Sequence, residues 1–189
     1  LLFFSVFAVT SCNGQHFQGS QIFMRRHFLI LLGLTAVFFA GCARKEITGL
    51  QRKQAASLAS EAGFAVTLRD YTRAEGLLVQ AVALCPDTSD YWFNLGTVRR
   101  RQDNRSGAKE AYEEGLKAVR ESYQHDPRNS PLLLQQVYVL ALMGRVDEAR
   151  SVLAQARKDH PDDRNLRIFV ESGELDRMLA DPGFKEQSL

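Results

Sequence analysis

The stretch Trp92–Gly115, WFNLGTVRRRQDNRSGAKEAYEEG, decides how the rest of the chain is read. Trp92, Leu95 and Gly96 lie three and four positions apart, on one face of a helix. Gln102-Asp103-Asn104 then breaks the pattern. It resumes in a second helix with Ala108, Tyr112, Gly115 and Val119. Two amphipathic helices across a short polar break form a helical hairpin. Gly96, Ala108 and Gly115 are small enough to let its arms approach, and Trp92 and Tyr112 are large enough to fill what lies beside them.

Working outward, the same hairpin recurs. Ala74, Ala108 and Ala149 are separated by 34 and then 41 residues, as are Leu78, Tyr112 and Leu153, and Ala81, Gly115 and Ala156. Pro86, Pro127 and Pro161 are separated by 41 and then 34. Four columns thus agree on a 34-residue unit, with seven extra residues between Gly115 and Pro127. The first helices carry Leu58, Ala62 and Ala65, then Trp92, Leu95 and Gly96, then Leu133, Val137 and Leu140. Proline ends each unit at Cys85-Pro86, Asp126-Pro127 and His160-Pro161, because it forces its predecessor out of helical geometry. Ser130-Pro131 is expected to supply an N-cap and a first-turn proline to the third pair. Seven residues are almost two turns and preserve the buried face to within about 20°, which predicts one unbroken helix from about Ser106 to Tyr123. Val137 stands where Ala62 and Gly96 stand, and Arg99 where Ala65 and Leu140 stand. Looser local packing is the expectation there.

Trp92-Phe93-Asn94-Leu95-Gly96, Ala108-x-x-x-Tyr112 and Gly144-Arg145-Val146-Asp147-Glu148-Ala149 resemble the tetratricopeptide repeat. The resemblance implies an all-α fold: a right-handed α-solenoid of three helix pairs, residues 55–88, 89–129 and 130–163, with a C-terminal capping helix in 164–189. Phe169, Met178, Leu179 and Phe184 are available to cover the last apolar face. It also implies a concave groove, lined by the first helix of each pair, that binds a partner protein or peptide. Its columns fall on Ala59, Gly63 and Thr67, on Phe93, Asn94, Thr97, Arg100 and Arg101, and on Leu134, Gln135, Tyr138 and Leu142. Phe93, Asn94, Thr97, Arg100, Arg101, Gln135 and Tyr138 are expected to contact the partner. Asn94 matches a residue that clamps a peptide carboxylate in some relatives, but Ser60 and Gln135 in the equivalent columns leave that clamp incomplete. Arg99-Arg100-Arg101 also reads as a solvated helix end whose cations complement the dipole.

The front of the chain reads as an address. Met24-Arg25-Arg26-His27 precedes an uncharged run, Phe28–Ala40, of 13 residues, short for a bilayer span of about 20 residues. Phe39-Ala40-Gly41-Cys42 resembles a lipobox, so residues 24–41 are expected to be a lipoprotein signal peptide and Cys42 the lipidated residue, with 42–54 a polar tether or an early helix. An uncleaved signal anchor is the alternative. Residues 1–23 are read as sequence upstream of a start at Met24 or as a truncated earlier signal. The expected location is the cell envelope, membrane-anchored and facing the periplasm, on the outer membrane where one exists.

Charge and composition narrow the function. Residues 1–41 hold two basic side chains and no acidic ones, so removing those two from 24 Lys+Arg leaves 22, against 22 Asp+Glu. A neutral body offers a polyanion no electrostatic footprint, and nucleic acid is not expected as a partner. Cys12, Cys42 and Cys85 form no C-x-x-C pair, the four His are scattered, and no nucleophile-elbow, Walker or zinc-protease motif occurs. No cofactor, metal, small-molecule substrate or catalytic residue is therefore expected, and Cys85 reads as a packing residue. The function that follows is a lipid-anchored adaptor or scaffold. The alternatives are an accessory subunit regulating an envelope enzyme such as a peptidoglycan hydrolase, or a soluble intracellular scaffold if the leader is not used.

Overall fold

The structure, a computed structural model, describes residues 46–189. The leader 1–23, the signal 24–41 and Cys42 lie outside the described residues. Helix α1 (Gly49–Thr67) starts the array. Thr48 caps it with a reciprocal box, its hydroxyl accepting from the Gln51 amide at 3.2 Å while Gln51 Oε1 accepts from the Thr48 amide at 2.9 Å. Of the stretch expected to be a tether or an early helix, the part from Gly49 onward is helix. Helices α2 (Tyr71–Leu84), α3 (Ser89–Arg101), α4 (Arg105–His125), α5 (Pro131–Leu142) and α6 (Val146–Asp159) follow. They pack as the pairs α1/α2, α3/α4 and α5/α6, and the second helix of each pair leans on the first of the next. Among the described residues every regular element is a helix, and the arrangement is a tetratricopeptide-type helical solenoid.

Alanine columns set the approach of the arms. Ala55, Ala62 and Ala65 of α1 and Ala74 and Ala81 of α2 are all fully buried. Larger side chains from adjoining pairs fill the remaining space: Leu78, Leu95 and Val98 between the first and second units, and Tyr112, Val119 and Leu140 between the second and third. Each such burial contributes about 1.5–3 kcal/mol. No pair buries both its faces alone, so the units stabilise one another. Helix α4 is unbroken over 21 residues, against 14 each in α2 and α6, so the seven-residue insertion is two added turns of helix.

Three expectations need correction. Ser130 sits at the N-cap position of α5 with helical φ/ψ and makes no capping bond; its hydroxyl donates instead to Asp163, the residue that caps the helix after Pro161. Pro131 does occupy the first turn. Packing is not loose at the irregular columns: Val137 is fully buried. Arg99 donates to Glu75 Oε1 at 2.8 Å and to the Gly107 carbonyl at 3.1 Å, tying the first unit to the second with a bidentate cation where an apolar side chain stands elsewhere. The end of the array is not one capping helix but three short ones: α7 (Arg164–Glu171), α8 (Glu174–Ala180) and α9 (Pro182–Gln187). Leu166, Leu175 and Phe184 are their buried anchors.

Candidate functional site

The first helices of the units present their outer faces to one side, and two hollows open there. Between α1 and α3 lies a hollow of about 160 Å³, walled by Ala59, Ala62, Val66, Leu78 and Val98 and rimmed by Asn94, Thr97 and Arg101. Between α3 and α5 lies a wider one of about 550 Å³, walled by Phe93, Leu134, Tyr138, Phe169 and Met178, with Asp90, Asn94 and Gln135 at its edge. Asn94, exposed, lines both. Next to the first hollow, Arg69, Arg100 and Arg101 line a further pocket with Tyr71, Asp103 and Glu186 at the C-terminal end of α3. The Arg101 guanidinium stands 5.8 Å from the centre of the Tyr71 ring, within cation–π range.

The seven expected contact residues meet different fates. Asn94 and Arg101 are open to solvent. Thr97 is half-buried with its hydroxyl 3.3 Å from that of Tyr112, and Gln135 Oε1 accepts from Ser89 at 3.3 Å. Phe93 is not a free contact. It is 8% exposed, and its ring fills the space that the missing side chain of Gly115 leaves, so it forms the floor of the wider hollow. Arg100 and Tyr138 are already occupied, because the chain folds back onto them after α8.

Helix α9 lies across α3 and α5 on the concave side. Phe184 is buried, with its ring edge-on to Tyr138 at 5.6 Å and 74°. Beyond it, the Tyr112 hydroxyl donates to the Gln187 carbonyl at 2.9 Å and Arg100 Nε donates to the Ser188 carbonyl at 2.7 Å. The Leu189 amide closes the segment with a 2.8 Å bond to the Leu142 carbonyl. Burial pushes the Tyr112 hydroxyl above the ordinary phenol range, against a smaller opposing effect from its bond to Thr97; burial also raises Tyr138. Both hydroxyls therefore keep their protons at neutral pH, and Tyr112 is fixed as a donor to the Gln187 carbonyl. Sequence reasoning gave Tyr112 only a packing role. It marked Phe184 as a cover for the last apolar face, yet nothing in the repeat pattern signals where the chain goes after Pro182.

Cys85 is 1% exposed among Ala55 and Ala81, and burial raises its thiol, a packing environment. Among the described residues no group of three His, Cys, Asp or Glu side chains is placed to hold a metal ion, and no helix is long and apolar enough to cross a membrane. The family model of the tetratricopeptide repeat matches residues 108–170, from the start of the Tyr112 helix face through α7. No curated protein matches the chain.

Proposed function

From the premise that this chain is a tetratricopeptide-repeat protein, whose repeats bind protein partners, we propose that it is a lipid-anchored adaptor of the bacterial cell envelope. Its concave face takes a segment of a partner protein. The observation that carries this reading is the open half of the groove. An apolar slot between α1 and α3 has the exposed Asn94 amide on its rim, and Arg69 and Arg101 close by. An apolar side chain of the partner enters the slot, its backbone runs past position 94, and Arg101 at the rim favours an acidic neighbour. The anchor is supported by Ala40-Gly41-Cys42 after a short apolar run. Acyl chains there hold a protein durably, since each buried CH₂ is worth about 0.8 kcal/mol.

One expression experiment tests both parts. The full chain and its Cys42→Ser variant are compared by intact mass and fractionation, with a photoreactive residue at position 94 or, as a control on a second helix, at position 109. The reading predicts a wild-type protein beginning at Cys42 with added acyl mass, recovered in membranes. It also predicts one discrete adduct from position 94 that Arg101→Glu abolishes. A protein that retains residues 24–41 refutes the anchor. Identical adducts from positions 94 and 109 refute the groove.

A further inference from the structure

The last eight residues make contacts that covering an apolar face does not require. Leu166 of α7 and Leu175 of α8 already bury themselves against the third unit, where a cap is needed. Segment 182–189 goes further and reaches the second unit, 75 residues away at Tyr112 and 88 at Arg100. There it is held as a peptide is held. Two side-chain donors, one a charged guanidinium and one a fully buried phenol, meet consecutive main-chain carbonyls at 2.7 and 2.9 Å, and a main-chain bond of 2.8 Å follows. Main-chain carbonyls are common to every peptide, so these bonds give affinity without reading sequence. Selectivity falls to Phe184 against Tyr138 and to Glu186 in the pocket of Arg69, Arg100 and Arg101, since Gln187 and Ser188 turn their side chains back onto the Gly183 and Lys185 carbonyls of their own segment.

We infer that Arg100, Tyr112, Tyr138 and the Leu142 carbonyl form a peptide-binding site whose present occupant is the chain's own segment 182–189. The ligand class is a short helical turn bearing an aromatic anchor and running into an extended end. A partner presenting that chemistry takes the site by displacing the segment. This deepens the adaptor reading by naming the partner's chemistry, and it adds a threshold. An occupant tethered in cis competes at high effective concentration, so only a better-fitting partner enters.

The test needs neither lipid nor partner, so its failure leaves the adaptor reading standing, and failure of the anchor or the Asn94 adduct leaves this site standing. A fluorescent peptide of residues 180–189 with both ends blocked is titrated by anisotropy onto the full-length wild type, the full-length Phe184→Ala variant, and Phe184→Ala combined with Arg100→Ala. The site predicts that Phe184→Ala binds the peptide at least about tenfold tighter than wild type. Arg100→Ala removes that gain, and a peptide with alanine at the anchor fails to bind. Where Phe184→Ala does not fold, Phe184→Leu, which keeps the apolar volume, replaces it under the same criteria. Equal binding to wild type and variant, or no binding to a folded variant, overturns the inference.

Discussion

Gly115 shows how a single missing side chain positions the groove. A Cβ there would collide with the Phe93 ring, and one at Gly96 would collide with the Tyr112 ring. Gly63 and Gly76 also lie inside helices but have nothing within 4 Å of such a carbon. Gly115→Ala should therefore cost about 1–3 kcal/mol by overpacking. Gly76→Ala should gain about 0.5–1 kcal/mol from helix propensity alone. Thermal melts of the two variants should move in opposite directions; a shared direction would mean that the ring contacts do not govern these positions. Tyr112 supplies a second prediction at this scale. Its folded pKa is raised by burial. The stability it contributes is therefore complete below the unfolded value of about 10 and is lost as pH rises through the folded value. Phe at position 112 removes that ionisation, so the melting temperature of Tyr112→Phe should fall less steeply than wild type's above about pH 10, although the lost bonds to Thr97 and Gln187 lower it at neutral pH.

At the scale of elements, the turn between the arms has one backbone geometry in all three units. Arg69, Asp103 and Gly144 all adopt left-handed geometry, with φ of 61°, 59° and 71°, in the same 34- and 41-residue register as the alanine columns. The bond behind each repeats as well: Asp70 to Ala65, Asn104 to Arg99 and Arg145 to Leu140, at 2.9, 2.9 and 2.8 Å. Only the third unit places a glycine there, so residue type signals the left-handed geometry in that unit alone. An L side chain in that region costs about 1–2 kcal/mol. Gly144→Ala should be destabilising by that amount, and Arg69→Gly should be stabilising by no more than about 1 kcal/mol once the added unfolded-state entropy of glycine is offset. Urea titrations measure both, and an unchanged Gly144→Ala midpoint would contradict the shared turn. The helices themselves were readable because small and bulky residues recur on one face at fixed spacing, and the continuity of α4 followed from an insertion of whole turns. The Ser130 cap was misread for a physical reason. A hydroxyl at a helix start serves whichever donor or acceptor the tertiary fold brings nearest, and here that is Asp163, 33 residues on.

On the scale of the whole molecule, the repeat columns place Asn94, Thr97, Gln135 and Tyr138 beside the two hollows. Leu142 of the same columns is fully buried, and the segment that returns across α3 and α5 was not legible. Column arithmetic places Asn94, Arg100 and Tyr138 on first helices; a chain that turns back across two units leaves no period to detect. That return changes how the array should unfold. In a solenoid whose units touch only their neighbours, stability is close to a sum of unit and interface terms, and the ends open independently. Here α9 rests on both α3 and α5, so the second unit, the third unit and the end of the chain are closed into one loop of contacts. Among the described helices the α1/α2 pair lies outside it, joined through the Leu78–Leu95 cluster and the Arg99–Glu75 ion pair. Amide hydrogen exchange should therefore show α3 to α8 opening together at a common free energy, with α1 and α2 opening at a lower one. In Phe184→Ala the loop is cut. Protection should then fall in α7 and α8 first while α3 and α4 keep most of theirs, because the Phe93–Gly115 and Gly96–Tyr112 contacts do not involve the returning segment. If α3 to α8 still open as one unit in that variant, cooperativity comes from the neighbour interfaces alone, and segment 182–189 contributes only to filling the groove.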